Sequence, residues 1–318
     1  RRFTEWMYVD RGDMECDCRV DCAFVDEALY YILRGILPSV EHLQLSSIFH
    51  FSSEKNSTSV SPANLTKAIY LRGTGLRSLT LRFDSPVEFP MSPQIGALVN
   101  LRYLNLMNCN ISGPLPEAIS ALTNLVVMKL GMNRMTGKLP EAISTLTKLE
   151  SLNVINNQFE GGIPSGIGAL SRLTSLQLRD NNFSRAIPRE LWDLASLVEL
   201  ELGVNELSNI SLDSSKMSAM SALTYLSLNL GWNQNLLHGH IPTELGLLTN
   251  LKILDLDGID LGTKSVVGIN SSSLDIFSSL TNLEALRCRD LKIIGHIPTS
   301  LSRLGKLEFF DLQSNDLT

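Results

Sequence analysis

The sequence predicts an α/β solenoid, with a parallel β-sheet on one face and short helical or irregular segments on the other. Two observations carry this. Leu101, Leu125, Leu149, Leu173 and Leu197 recur at an unbroken period of 24 residues. Each opens the lettering L-x-x-L-x-L-x-x-N-x-L-x-G-x-I-P, with modest substitutions. A fixed period of this length and lettering marks stacked repeats that bury, as neighbours, an apolar face none can bury alone.

The copy from Leu149 explains the positions. Leu152 and Val154 alternate with Ser151, Asn153 and Ile155, so one face of a short strand is buried and the other faces outward. Asn157 suits a turn whose backbone amides need a partner, because its side chain both accepts and donates. Ile163-Pro164 and the Ile167, Leu170 run fill the opposite wall, and proline fixes φ where a strand need not continue. Asn133, Asn157, Asn181, Asn205, Asn235 and Asn315 share the turn position and are expected to be structural rather than ligand-binding. Cys109 takes the place of the first of them, as a buried thiol and not a nucleophile.

Composition bounds the reading. Of 318 residues 44% are hydrophobic and 19% charged, a folded composition rather than a disordered one. The net charge of −6 argues against a general nucleic-acid binder, which would carry a basic stripe. No run is long and apolar enough for a transmembrane helix, so these residues themselves imply no membrane contact. The chain begins Arg1-Arg2 and stops at Thr318 within a repeat, which reads as a fragment of a longer protein.

Residues 1–36 carry no repeat and are expected to form an N-terminal cap. Val25, Leu29, Ile32, Leu33 and Ile36 lie on one helical face after the cluster Cys16, Cys18, Cys22. Three thiolates also raise a zinc site, but the spacing is tight and no matching pair follows, so no metal is expected. Residues 37–318 are the repeats. Leu37, Val40, Leu43, Leu45 and Ile48 read as a first strand, residues 46–64 as a polar loop, and Leu76, Leu79 and Leu81 as a second strand. The period is regular over 101–197, irregular over 198–282, and the last repeat is truncated. Extra residues fall near 230–233 and 266–275, either functional loops or drift in tolerant ones.

Catalytic lettering is absent. No nucleophile elbow, phosphate-binding loop or H-E-x-x-H occurs, so neither an enzyme nor a cofactor is expected. His240 and His296 are read as exposed, about two repeats apart and poor metal partners, and His238-x-His240 could at most bind a metal weakly at an exposed edge. The informative residues point outward from the strands, where equivalent positions form columns about 4.8 Å apart. Among them Tyr103, Lys129, Asn153, Gln177, Arg179 and Tyr225 mix aromatic, amide and cationic groups, the types enriched at binding hot spots. The Asp255, Asp257, Arg287, Arg289 and Asp311 group reads as a ladder of local ion pairs, each contributing ~0–1 kcal/mol.

The segments Gly113-Pro-Leu-Pro116, Gly137-Lys-Leu-Pro140, Gly161-Gly-Ile-Pro164, Gly239-His-Ile-Pro242 and Gly295-His-Ile-Pro298 resemble the plant-specific class of leucine-rich repeat. That class includes receptor-like kinase ectodomains, receptor-like proteins and secreted polygalacturonase inhibitors. The resemblance covers about 76–318, and Trp6 with the Cys16 cluster does not match the family's usual N-terminal cap. It implies a curved, right-handed solenoid with the main sheet on the concave face and a second row of short strands along one side. It also implies a protein- or peptide-recognition role, with a co-receptor as a further partner, at the cell surface or outside the cell. Any anchor would lie in a segment not in this chain. The alternatives are a cytoplasmic scaffold of the same fold, or the ectodomain of a receptor whose kinase lies elsewhere. Six N-x-[ST] triplets, at Asn56, Asn64, Asn110, Asn182, Asn209 and Asn270, are candidate glycosylation acceptors, a mild pointer to secretion.

Overall fold

Each regular repeat builds the same three pieces in turn. The L-x-L alternation makes a three-residue strand, as in Tyr103–Asn105, Val127–Lys129 and Ser151–Asn153. A short second strand follows, such as Ile111–Gly113 or Arg134–Gly137. Proline then opens a five-residue 3-10 turn, as in Glu117–Ala121, Glu141–Thr145 and Ser165–Ala169. The glycine of each G-x-I-P segment has a reason: Gly113, Gly137 and Gly161 sit at φ of 73°, 74° and 73°, open to a residue without Cβ. The computed structural model describes residues 6–10, 40–46, 62–83, 88–208, 214–229, 241–258 and 269–318. It divides into two units, residues 1–158 and 159–318.

In the first unit the long strands run parallel in the order Trp6–Asp10, His42–Ser46, Ser78–Arg82, Tyr103–Asn105, Val127–Lys129, Ser151–Asn153. A second parallel row pairs Phe89–Pro90, Ile111–Gly113 and Arg134–Gly137. Leu104, Leu106, Met128, Leu130, Leu152 and Val154 face inward from the long strands, and Ile119, Leu122, Ile143 and Leu146 from the 3-10 side. Two elements of this unit go beyond the sequence reading. Trp6–Asp10 extends the sheet by one strand. Pro62–Arg72 is an α-helix where a polar loop was expected to run as far as Asn64. Proline at its first turn is compatible with a helix start, and Leu65, Ile69 and Tyr70 are fully buried beneath it.

In the second unit the order is Ser175–Gln177, Glu199–Glu201, Tyr225–Ser227, Ile253–Asp255, Ala285–Arg287, Phe309–Asp311, again parallel. Asn182–Arg185 pairs with Glu206–Leu207, and Ile269–Asn270, Ile293–Gly295 and Asp316–Leu317 form a further short row. Phe159 and Phe183, one period apart, stack at 6.1 Å between ring centroids and 9° between planes. The fold is therefore the solenoid that the period predicts. The Cys16, Cys18, Cys22 cluster, its following helix, Asn56, Asn209, Asn235, His238, His240 and the 230–233 insertion lie outside the described residues. Among those described, no helix is long and apolar enough to cross a membrane.

Candidate functional site

The turn asparagines have their side chains committed to backbone. Asn133 Oδ1 accepts from the amides of Cys109 and Ile111, both at 3.0 Å, in the preceding repeat. Its Nδ2 donates to Leu106 O and Leu130 O at 2.8 Å. Asn157 accepts from Met135 N and donates to Leu130 O and Val154 O. Asn205 does the same for Phe183 N, Leu178 O and Leu202 O, and Asn181 accepts from Phe159 N. Asn315 serves Leu291 N, Ile293 N and Cys288 O. Each residue thus satisfies its own turn and the turn before it, which leaves no free polar edge for a ligand. At the first of these positions the Cys109 thiol instead donates to Leu81 O at 3.0 Å, and burial raises its pKa to about 12. It is a poor nucleophile for that reason.

The outward columns follow the register. In the first unit Tyr103, Val127 and Ser151 align, as do Asn105, Lys129 and Asn153. In the second, Ser175, Glu199, Tyr225, Ile253, Ala285 and Phe309 align, beside Gln177, Glu201, Ser227, Asp255, Arg287 and Asp311. Of the candidate residues, Tyr103 and Lys129 are half-buried on the first unit's face, and Gln177, Arg179 and Tyr225 share the second's. Asn153 behaves differently. It is 7% exposed and its Oδ1 accepts from Ile155 N at 3.2 Å. Asn105, Asp255 and Asp311 make the same contact with the amide two residues on. This column therefore holds side-chain-to-backbone turns wherever it carries Asn or Asp, a local bond these residues are known to prefer.

A family profile described as leucine-rich repeat region matches residues 74–317. The chain belongs to the leucine-rich repeat family. Its structural neighbours include plant receptor ectodomains. It is similar to the ectodomain of the plant membrane receptor kinase GASSHO1/SCHENGEN3 from Arabidopsis thaliana, solved in complex with CASPARIAN STRIP INTEGRITY FACTOR 2. The identity is 26% and the TM-score 0.56, over 88% of this chain and 36% of that one. A TDR receptor matches at 25% identity and TM-score 0.57, over 81% of this chain and 50% of that one. A plant ice-binding protein matches at 26% and 0.58, over 74% and 71%. The chain thus spans 36% and 50% of the two receptor chains. A search of curated protein sequences returned no match.

Electrostatics divide the second unit's leucine-rich repeat face. Burial first, then the neighbouring Glu199 carboxylate, holds the Glu201 carboxyl above its usual range. Ser175 Oγ and Gln177 Nε2 both donate to Glu199, at 2.7 and 3.0 Å. Tyr225 is likewise pushed up, by burial and by the carboxylates of Glu201 and Asp255, so it remains a neutral phenol. Further along, Arg289 Nε donates to Asp311 at 2.5 Å and holds its carboxyl below the ordinary value. Asp257 lies 3.9 Å from the same guanidinium. Arg287 does not bridge the flanking aspartates but stands over the Phe309 ring at 5.2 Å. The group therefore combines ion pairs with a cation–π contact, beyond the ladder of ion pairs that the sequence predicts. The acidic pair Glu199 and Glu201, readable in its column position, lies among the sequence-predicted candidates Gln177, Arg179 and Tyr225 without being one of them.

Asn64, Asn182 and Asn270 are exposed, and Asn110 is half-buried with φ of 57°. Asn270 Oδ1 accepts from Ser272 N and so caps a 3-10 turn. Among the described residues no group of His, Cys, Asp and Glu is placed to hold a metal ion.

Proposed function

We propose that this leucine-rich repeat chain is a non-catalytic recognition module, and that it binds a peptide or protein through the outward face of its long strands. It would serve as the ligand-binding part of a cell-surface receptor-like or secreted protein, with a co-receptor as a further partner. The observation that carries this reading is the register of the second unit. It sets Gln177, Glu199, Glu201 and Tyr225 on adjacent strands, with Arg179 alongside. The backbones beneath are occupied by the ladder, so amide, carboxylate, phenol and guanidinium groups are offered on a rigid support. On the first unit Tyr103 and Lys129 offer the same kinds of group, and Asn153 supports its own turn while contributing little surface. The complex of the GASSHO1/SCHENGEN3 ectodomain with CASPARIAN STRIP INTEGRITY FACTOR 2 supports a recognition role for such a fold.

Selection of a displayed peptide library on residues 1–318 tests the reading. Selected peptides should lose at least tenfold in affinity for Arg179→Glu and for Tyr225→Ala, at unchanged melting temperature. Peptides whose binding ignores both these substitutions and Tyr103→Ala would place recognition off this face.

A further inference from the structure

In the first unit a cavity of about 570 Å³ opens on the outward side of the strands His42–Ser46, Ser78–Arg82 and Tyr103–Asn105. The register explains it. Ser78 sits between His42 and Tyr103, and Thr80 between Gln44 and Asn105. A small residue on the middle strand, twice, flanked by larger ones on both sides, leaves a hollow. Arg77 and Arg102 stand at its rim, one residue ahead of their strands, and are tied together through backbone: the amides of Arg102 and Tyr103 both donate to Arg77 O. Glu41 lies 3.3 Å from the Arg77 guanidinium. Arg102 makes no ion pair among the described residues, and neither does Lys129 on the next strand but one from Ser78–Arg82.

We propose that this hollow seats a carboxylate side chain of an acidic peptide segment, held by the Arg77 and Arg102 guanidinium groups with the Ser78, Thr80 and Tyr103 hydroxyls donating from below. The amides of Arg77, Ser78, Arg102 and Tyr103 are taken by Glu41 O and Arg77 O, so only side-chain donors are on offer. A nest of free backbone amides, the usual cradle for phosphate, is therefore missing from these strands. A planar carboxylate matches the guanidinium fork. The volume also suits part of a peptide, since small-molecule pockets run from about 300 to 1,000 Å³. The inference rests on the recognition reading above and assigns one of its subsites.

The test uses residues 1–318 and three probes: acetyl-tetraglutamate amide, acetyl-tetraglutamine amide and inorganic phosphate, each titrated by calorimetry and amide chemical shifts. Tetraglutamate should bind, shift the amides of Ser78 to Arg82, and weaken severalfold from 50 to 200 mM salt. The double variant Arg77→Gln/Arg102→Gln should lose at least tenfold, and Ser78→Leu, which fills the hollow, should lose as much without removing a charge. Lys306→Gln, in the other unit, should leave the affinity unchanged. Equal binding of tetraglutamine, binding of phosphate but not peptide, or full affinity in both hollow variants would overturn the proposal. Library peptides that bind through Arg179 and Tyr225 while tetraglutamate does not would remove this subsite and leave the wider reading standing.

Discussion

Arg185 and Val204 hold backbone conformations that their side chains resist. Arg185 has φ of 71° at the position where Gly113, Gly137 and Gly161 stand in the preceding repeats. Left-handed backbone costs a residue with a Cβ roughly 1–2 kcal/mol, partly offset because glycine has more chain entropy to lose. Arg185→Gly should therefore raise stability by about 0.5–1 kcal/mol in urea titration. Val204, at φ of 53°, is the β-branched member of a position otherwise held by Asn108, Met132, Asn156, Asp180, Asp290 and Ser314. Glu201 gives a pH-dependent case. Its folded pKa is raised above the unfolded value near 4.3, so ionising it in the fold is costly. That cost is full above the folded pKa and gone below the unfolded one. Glu201→Gln should accordingly raise the melting temperature at pH 7 and lose its advantage as pH falls toward 4; a gain that persists in acid would show another cause. Asn157→Ala strips partners from Met135 N, Leu130 O and Val154 O, and should cost on the order of 1–3 kcal/mol without altering the outward face.

At the scale of elements, coupling between repeats can be measured through a shared acceptor. Asn181 and Asn205 both donate to Leu178 O. The double alanine variant should cost measurably less or more than the sum of the singles, by ~0.5 kcal/mol or above, as for any two residues in one network. Asn133 and Asn205 share no acceptor, and their losses should add. The last long strand, Phe309–Asp311, leaves Phe309 43% and Phe310 37% exposed, whereas Leu286 at the register of Phe310 is fully buried. Its amides should exchange faster than those of Glu199–Glu201; equal protection would mean that burial does not set local opening here. The strands and 3-10 turns were legible because a period of 24 repeats their chemistry, and any single copy is checked by its neighbours. Pro62–Arg72 had no such support: it occurs once and follows a Ser- and Thr-rich run that hides where it begins. Columns were legible for a similar reason, from the alternation of side chains along a strand. Which members of a column stay exposed was not, because Asn153 and Asp255 turn inward through a bond to their own backbone.

At the scale of the molecule, stability should approach a sum of repeat and neighbour contributions, as in other stacked arrays. The asparagine ladder adds an asymmetry to that sum. Each asparagine reaches back, never forward, so a repeat depends on its successor for amides and a carbonyl that it cannot satisfy itself. Deleting residues 307–318 would orphan Leu291 N, Ile293 N and Cys288 O, all served by Asn315. Losing a repeat from the other side instead orphans strand amides, such as those of Val126 and Val127 that donate to Arg102 O. Side-chain bonds thus tie a repeat to its successor, and strand amides tie it to its predecessor. Under a processive protease or a pulling force the two ends should therefore yield differently in kind: Asn315→Ala should hasten loss of the carboxyl-side repeat and leave trimming from the amino side unchanged.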